Sequence, residues 1–498
     1  MSTLKWEQIK NAESISNIKY PADFDIENAN FTDKKIGMSD FSLVKGLRWE
    51  HIRTAKDITY LKYPAEFDIE NAYFTDREIC GSDFTLVRGL KWKYIKNAID
   101  LSAIKYPADF DIENADFNNR DIRWSNFTLV KGLKWDQINN AAEIYGIDYP
   151  EDINIENADF SYKVIKGDFM QNSNFSLVKG FKWKHIKFKG DLEYITYPPE
   201  FDIENADFTD RDIHGSNFSL VKGLKWKQIR NNNNIEEIDY PAEFDIENAD
   251  FSGKELSCSN FSLVKGLRWR HIKKAKSISS LTYPAEFDIE NADFTSKFIA
   301  GSDFRLVQGL KWEHIRRADK KALKYPAEFD IKYADFTSIG IAGSDFRLVK
   351  GLKWEQIRST TGRLKDSHFE PFRLGGHISG ITYPADFDIE NADFSGMDIS
   401  RSDFSFVRSL KWDQIKNSTN ISGITYPAEF DIENADFTNM DISGSDFTLL
   451  GPDNVCTDDS NNENESDNDY DNVKWSRSDW NEYYGYEDDY KGDYDDQQ

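Results

Sequence analysis

Residues 201–218 read FDIENADFTDRDIHGSNF, which places Ile203, Phe208, Ile213 and Phe218 five residues apart. Five is neither the two-residue period of a flat amphipathic strand nor the 3.6 of a helix. A chain that buries one large residue in every five must turn after each short extended piece. Stacked coils of such pieces would lie about 4.8 Å apart, as paired strands do. Outward from this stretch the same phrase recurs along the chain. A tryptophan marks each copy (Trp6, Trp49, Trp92, Trp135, Trp183, Trp226, Trp269, Trp312, Trp354 and Trp412), usually at a spacing of 43 residues. Ten copies of one supersecondary unit are therefore expected.

Within the phrase, Asp or Asn precedes each central apolar residue, and a small residue such as Ala206 or Ser216 often stands two places before it. This pattern resembles the pentapeptide-repeat family, whose consensus is A-(D/N)-(L/F)-x-x. The resemblance implies an all-β solenoid, a right-handed quadrilateral β-helix with the central and small residues pointing inward. The expected architecture is a rod of about ten units over residues 1–450, each with a short helical connector. Trp226 and Ile229, three apart, suit the apolar edge of such a helix, and Pro241 sets an extended start for the next coil. The connector is expected as a helical flap capping one side of each coil, with the Trp on the coil's apolar edge; the alternative folds it into a second, degenerate coil.

Insertions support five as the building quantum. Phe160 and Phe175 are 15 apart where other units have 10, and the largest insertion, roughly Thr360–Gly376, falls in a connector, where surface loops tolerate it. Two features depart from the family pattern. The inward small position of the third pentapeptide carries Lys34, Arg77, Arg120, Lys163, Arg211, Lys254 and Lys297, then Ile339, Met397 and Met440. An unpaired charge cannot be buried there, so the corner is open or the coil is not square. Bulky Phe24, Phe67, Phe110 and Phe201 also fill the corresponding position of the first pentapeptide.

The formal net charge is −26. Residues 451–498 hold 16 acidic and 3 basic side chains, a net −13, leaving 72 acidic against 59 basic residues in the repeats, again −13. The tail, rich in Asp, Asn and Tyr, has too few aliphatics to repay ordering and is expected to be disordered. Its Val473-Lys474-Trp475 echo suggests an alternative in which it caps the last coil. Cys80, Cys258 and Cys456 fit neither a disulfide framework nor a zinc site. The chain shows no apolar leader and no apolar run of membrane-spanning length, so an intracellular, cytoplasmic protein with no membrane partner is expected.

Repetition turns residue types into columns. Glu27, Glu70, Glu113 and their equivalents make an acidic one. Directly before each Trp stands a basic stripe: Lys5, Arg48, Lys91, Lys134, Lys182, Lys225, Arg268, Lys311, Lys353 and Lys411. Further Lys or Arg stand four residues before and four after most of the tryptophans. The plainer reading is a solvated face of mutually neutralising stripes; the functional one is a rail for a polyanion such as nucleic acid, or an acidic mimic of it. Four histidines (His51, His185, His271, His314) share the slot two after Trp with Gln in other units, which points to packing or hydrogen bonding. His368 and His377 are unique, and with Phe369 and Phe372 make the large insertion a candidate recognition loop. No phosphate-loop, dinucleotide, hydrolase or zincin motif occurs, and Asp-Ile-Glu-Asn lacks calcium-loop spacing. The expectation is a non-enzymatic scaffold without cofactors, binding protein partners or, less favoured, nucleic acid. Self-association through the ends of the rod is a further expectation.

Overall fold

The computed structural model describes residues 4–450 except 13, 157, 159–171, 188–191, 233, 319, 337–339 and 359–377. By its contacts the chain divides into Met1–Asn454 and Val455–Gln498. The disordered or capping tail and the recognition loop at His368, Phe369, Phe372 and His377 lie outside the described residues.

Each unit makes two tiers. In the first unit the A tier, residues 6–28, begins with a four-residue α-helix, Trp6–Ile9, and ends in the 3-10 turn Ile26–Asn28. The B tier, residues 29–47, is built of two-residue turns around Phe31, Ile36, Phe41 and Val44. The helix recurs in all ten units, from Trp49–Ile52 to Trp412–Ile415, as Trp-x-x-Ile spacing predicted. The connector is thus a second tier rather than a flap.

The expected all-β solenoid is not what the chain forms. No strand occurs among the described residues; β-type pairing between tiers is limited to isolated parallel bridges. The cause is local. At Asp40, for example, the carboxylate turns back to accept the Ser42 backbone N–H at 2.9 Å, and Asp83 does the same for Thr85 at 3.0 Å. These side-chain turns bend the backbone right after each bridged residue, leaving no length for a strand.

Nor is the stack a rod. Lys19 is bridged to Asp40, Asp40 to Lys62 and Lys62 to Asp83, and so on in steps of 21 or 22 residues outside the two insertions, through Thr425 to Asp446. Asp446 is then bridged back to Lys19. Twenty parallel bridges close one circular ladder. The seam reproduces interior contacts. Gln8 Nε2 donates to the Ile432 carbonyl at 2.9 Å, as Gln356 does to Ile331 at 2.8 Å, and Phe447 N–H donates to the Lys19 carbonyl at 3.1 Å, as Phe84 does to Lys105 at 3.0 Å. The last unit stands to the first as every unit stands to its successor, so no edge is left unpaired.

The closed stack is built of unequal tiers. A second ladder, at Lys35–Asp57, Glu78–Asp100 and Asp121–Glu143, joins only B tiers to the following A tiers among the described residues, and only A tiers carry helices. The two kinds of tier are thus unequal, and the stack of twenty closes on itself along the Asp40 ladder. A continuous apolar core runs through the tiers. In it Tyr20 stacks on Phe41 (4.6 Å, 10°), and Trp6 meets Phe31 edge-on at 5.2 Å, an arrangement repeated in other units, as at Tyr63–Phe84 and Trp49–Phe74. Burial pushes the pKa of these core tyrosines far up, so they remain neutral phenols.

Candidate functional surfaces

The helices are too short to persist alone and are held at both ends by distant groups. At the N-terminus the Trp6 N–H donates to Asp25 Oδ1 at 2.6 Å, nineteen residues ahead, and Trp49 to Asp68 at 2.7 Å. The Asp25 column is a helix cap supplied from the same unit's next turn. At the C-terminus sits the column of cations that did not fit the family pattern. Lys34 Nζ donates to the Lys10 carbonyl at 2.9 Å, and Arg77 and Lys254 reach the carbonyls of Ala55 and Asn232 at 2.7 and 2.5 Å. Arg211 reaches Lys187 at 2.6 Å and lies 5.1 Å from the Trp183 ring. These side chains satisfy orphan carbonyls after each helix. Where Met397 and Met440 replace them, an apolar side chain packs on the core instead.

The slot two after Trp is structural, as its Gln/His alternation suggested. His51 Nδ1 accepts the Arg48 N–H at 3.0 Å, and His185, His271 and His314 accept from Lys182, Arg268 and Lys311 at 3.0 Å; Gln8 Oε1 does so for Lys5 at 2.8 Å. Desolvation holds all four imidazoles below their ordinary pKa. They are neutral helix caps.

The basic stripe from Lys5 to Lys411 occupies the residue before each helix, and all ten members are exposed. The acidic column lies on the 3-10 turns, where Glu247 pairs with Arg270, two residues past the stripe's Arg268, at 2.5 Å. The Asp40 ladder is polar. Lys19, Lys62, Lys105 and Lys324 pair there with Asp446, Asp40, Asp83 and Asp303 at 3.0, 3.3, 3.4 and 3.7 Å. Burial raises the carboxyl pKa of Asp148 and Asp403 on the same ladder.

One side-chain cluster escaped the sequence reading because its members lie on two tiers. Glu193, Asp212 and His214 bring three ligand-type atoms within 4.8 Å of one another, all half-buried. His214 Nδ1 lies 2.9 Å from Asp212 and 3.8 Å from Glu193. Two carboxylates and an imidazole are a minimal donor set for a divalent cation. The Asp212–His214 contact is equally a local turn, since Asp212 also accepts the His214 N–H at 3.0 Å. Among the described residues no helix is long and apolar enough to cross a membrane.

No family model and no curated protein matches the chain. Solved structures with similarity to it include two trypsin-treated forms of QnrB1, a plasmid-mediated fluoroquinolone resistance protein. One is 12% identical, covering 64% of this chain and 90% of that one, with a TM-score of 0.10; the other is 15% identical, covering 64% and 92%, with a TM-score of 0.10. A third is HetL of the cyanobacterium Nostoc sp. strain PCC 7120, a pentapeptide repeat protein involved in heterocyst differentiation regulation (7% identity, 79% and 85% covered, TM-score 0.08). Scores of this size mark no superposable fold.

Proposed function

We propose that the chain is a non-enzymatic scaffold that recruits protein partners to a surface repeated ten times around a closed ring. The observation that supports this most is the seam, because closure makes every unit's outer surface equivalent, the first and last included. The histidines that might have served chemistry are used as helix caps. The exposed stripe from Lys5 to Lys411 is the recruiting surface in this reading, with the acidic column setting the register of the partner.

The test is a binding titration of a captured partner against the full chain, then against chains in which three, six and all ten stripe residues are changed to Ser. The scaffold reading expects several partners per ring and a stepwise loss of sites. A stripe that binds single- or double-stranded nucleic acid, with affinity collapsing between about 50 and 200 mM salt, would replace a protein partner with a polyanion. Turnover dependent on Glu193, Asp212 or His214 would overturn the non-enzymatic reading.

A further inference from the structure

The turn after each residue of the Asp40 ladder forms one flank of the ring. In nine units its B tiers carry a half-exposed apolar residue, Leu43, Leu86, Leu129, Leu177, Leu220 and their equivalents through Phe406, with exposures from 41% at Leu348 to 51% at Leu306, while Leu449 in the tenth is less exposed. The matching A-tier position is alanine in eight units, as at exposed Ala22, Ala65 and Ala108, with Glu151 and Pro199 in the fourth and fifth. The flank thus carries an annulus in which large and small apolar residues alternate, interrupted at Glu151. Immediately outside it runs an annulus of exposed charges of alternating sign: Asp23, Lys45, Glu66, Arg88, Asp109 and Lys131, continuing round to Arg408 and Glu429; the sequence breaks the alternation at Gln308 and Gly451.

Both annuli are self-complementary, and in the same register. A second ring turned over and set with its A tiers against the B tiers of the first would place the leucines over alanines, except at Glu151 and Pro199. It would also place acids over bases, except where Gln308 and Gly451 stand. Registers that set A tiers over A tiers satisfy neither condition. At roughly 80 Å² of exposed surface for each of the nine, the annulus offers about 700 Å² of apolar area, more than most monomers leave in one patch and close to the share each partner contributes to a standard-sized stable interface.

We propose that two copies of this chain dock face to face through this flank as a two-fold dimer. The contact is isologous, closing at two copies and leaving the basic stripe on each ring available. It extends the scaffold reading to a double ring without depending on it. The ends of the stack are paired with each other, so the dimer does not use them.

Sedimentation equilibrium of the full chain at micromolar concentration tests this. The expected mass is twice the 57.8 kDa of one chain. Leu86→Glu, Leu220→Glu and Leu306→Glu together should return the single-chain mass with circular dichroism unchanged, because these side chains already face water. A second arm avoids any question of folding. A chain with its B-tier flank bases changed to Glu and a chain with its A-tier flank acids changed to Lys should each be monomeric alone and pair when mixed. A monomeric wild type, a dimer that survives the leucine changes with the fold intact, or charge-swapped chains that do not pair would each overturn the proposal. A flank covered by the chain's own residues 451–498 would appear as the monomeric wild type.

Discussion

If the ring is closed, Lys19 and Asp446 are neighbours although 427 residues apart in the chain, and their energies must couple. The structure supplies a matched interior control. Asp446 accepts the Thr448 N–H and hydroxyl at 3.0 and 2.7 Å and faces Lys19 Nζ at 3.0 Å. Asp83 accepts the Thr85 N–H and hydroxyl at 3.0 and 2.6 Å and faces Lys105 Nζ at 3.4 Å. Removing either carboxylate forfeits two charge-assisted hydrogen bonds and an ion pair, so Asp446→Ala and Asp83→Ala should each cost about 2–3 kcal/mol. The ion pair is the seam-specific part. Lys19 and Asp446 are 27% and 10% exposed, so solvent screens them less than Lys105 and Asp83, at 48% and 14%. A double-mutant cycle with Lys19→Met and Asp446→Ala should give a coupling of about 1 kcal/mol, and the interior cycle about 0.5 kcal/mol. Urea unfolding followed by tryptophan fluorescence measures both. Additivity at the seam within about 0.3 kcal/mol, the behaviour of distant sites, alongside coupling at Lys105–Asp83, would refute the closure.

Two further expectations follow from the columns. Gly81 has φ +70°, and a Cβ there would lie 2.0 Å from the Tyr60 ring on the preceding tier; Gly81→Ala should destabilise by about 3 kcal/mol, and adding Tyr60→Ala should reduce the deficit to about 1 kcal/mol, the residual backbone strain, as read by thermal unfolding. The four cap histidines have folded pKa values below the unfolded 6.5, so their contribution is complete above pH 6.5 and is lost as pH falls through the depressed folded values. Replacing all four by Gln, the residue in the same slot at Gln8 and Gln228, should leave the fold intact at pH 7.5 and flatten the decline of stability in that acid range; an unchanged slope would contradict the capping role.

Much of this architecture was legible in the sequence. The 43-residue unit, the five-residue corners of the B tier and the Trp-x-x-Ile helix all follow from apolar spacing, and the Gln/His alternation disclosed a hydrogen-bonding slot. The A tier was harder to recognise because its helix and Ile15, Ile18 and Tyr20 break the five-residue rhythm, leaving one coil or two undecided. The roles of Asp25 and Lys34 were hidden for another reason: each serves a helix nineteen or more residues away in the chain, and no local pattern marks such a partner. Strands were expected because pentapeptide spacing resembles that of stacked strands, yet the Asp and Asn residues that carry the resemblance also cap the turns that cut the strands short. Curvature left no sequence signal at all. It shows only over the whole stack, where twenty steps bring Asp446 back to Lys19. The basic stripe could be read as a column, but the leucine flank could not, since Leu43 lies beside buried Val44 in a run that looks like core.

The most direct test of the closed ring is the distance between its first and last tiers. Spin labels at Ser16→Cys and Ser443→Cys, with the three native cysteines replaced by Ser, sit at positions where the Gly444 N–H donates to the Ser16 carbonyl at 3.2 Å. Pulsed electron resonance should return a narrow distribution below about 20 Å. An open stack of twenty tiers at about 4.8 Å each would place the labels roughly 90 Å apart, and a distribution there would contradict the account.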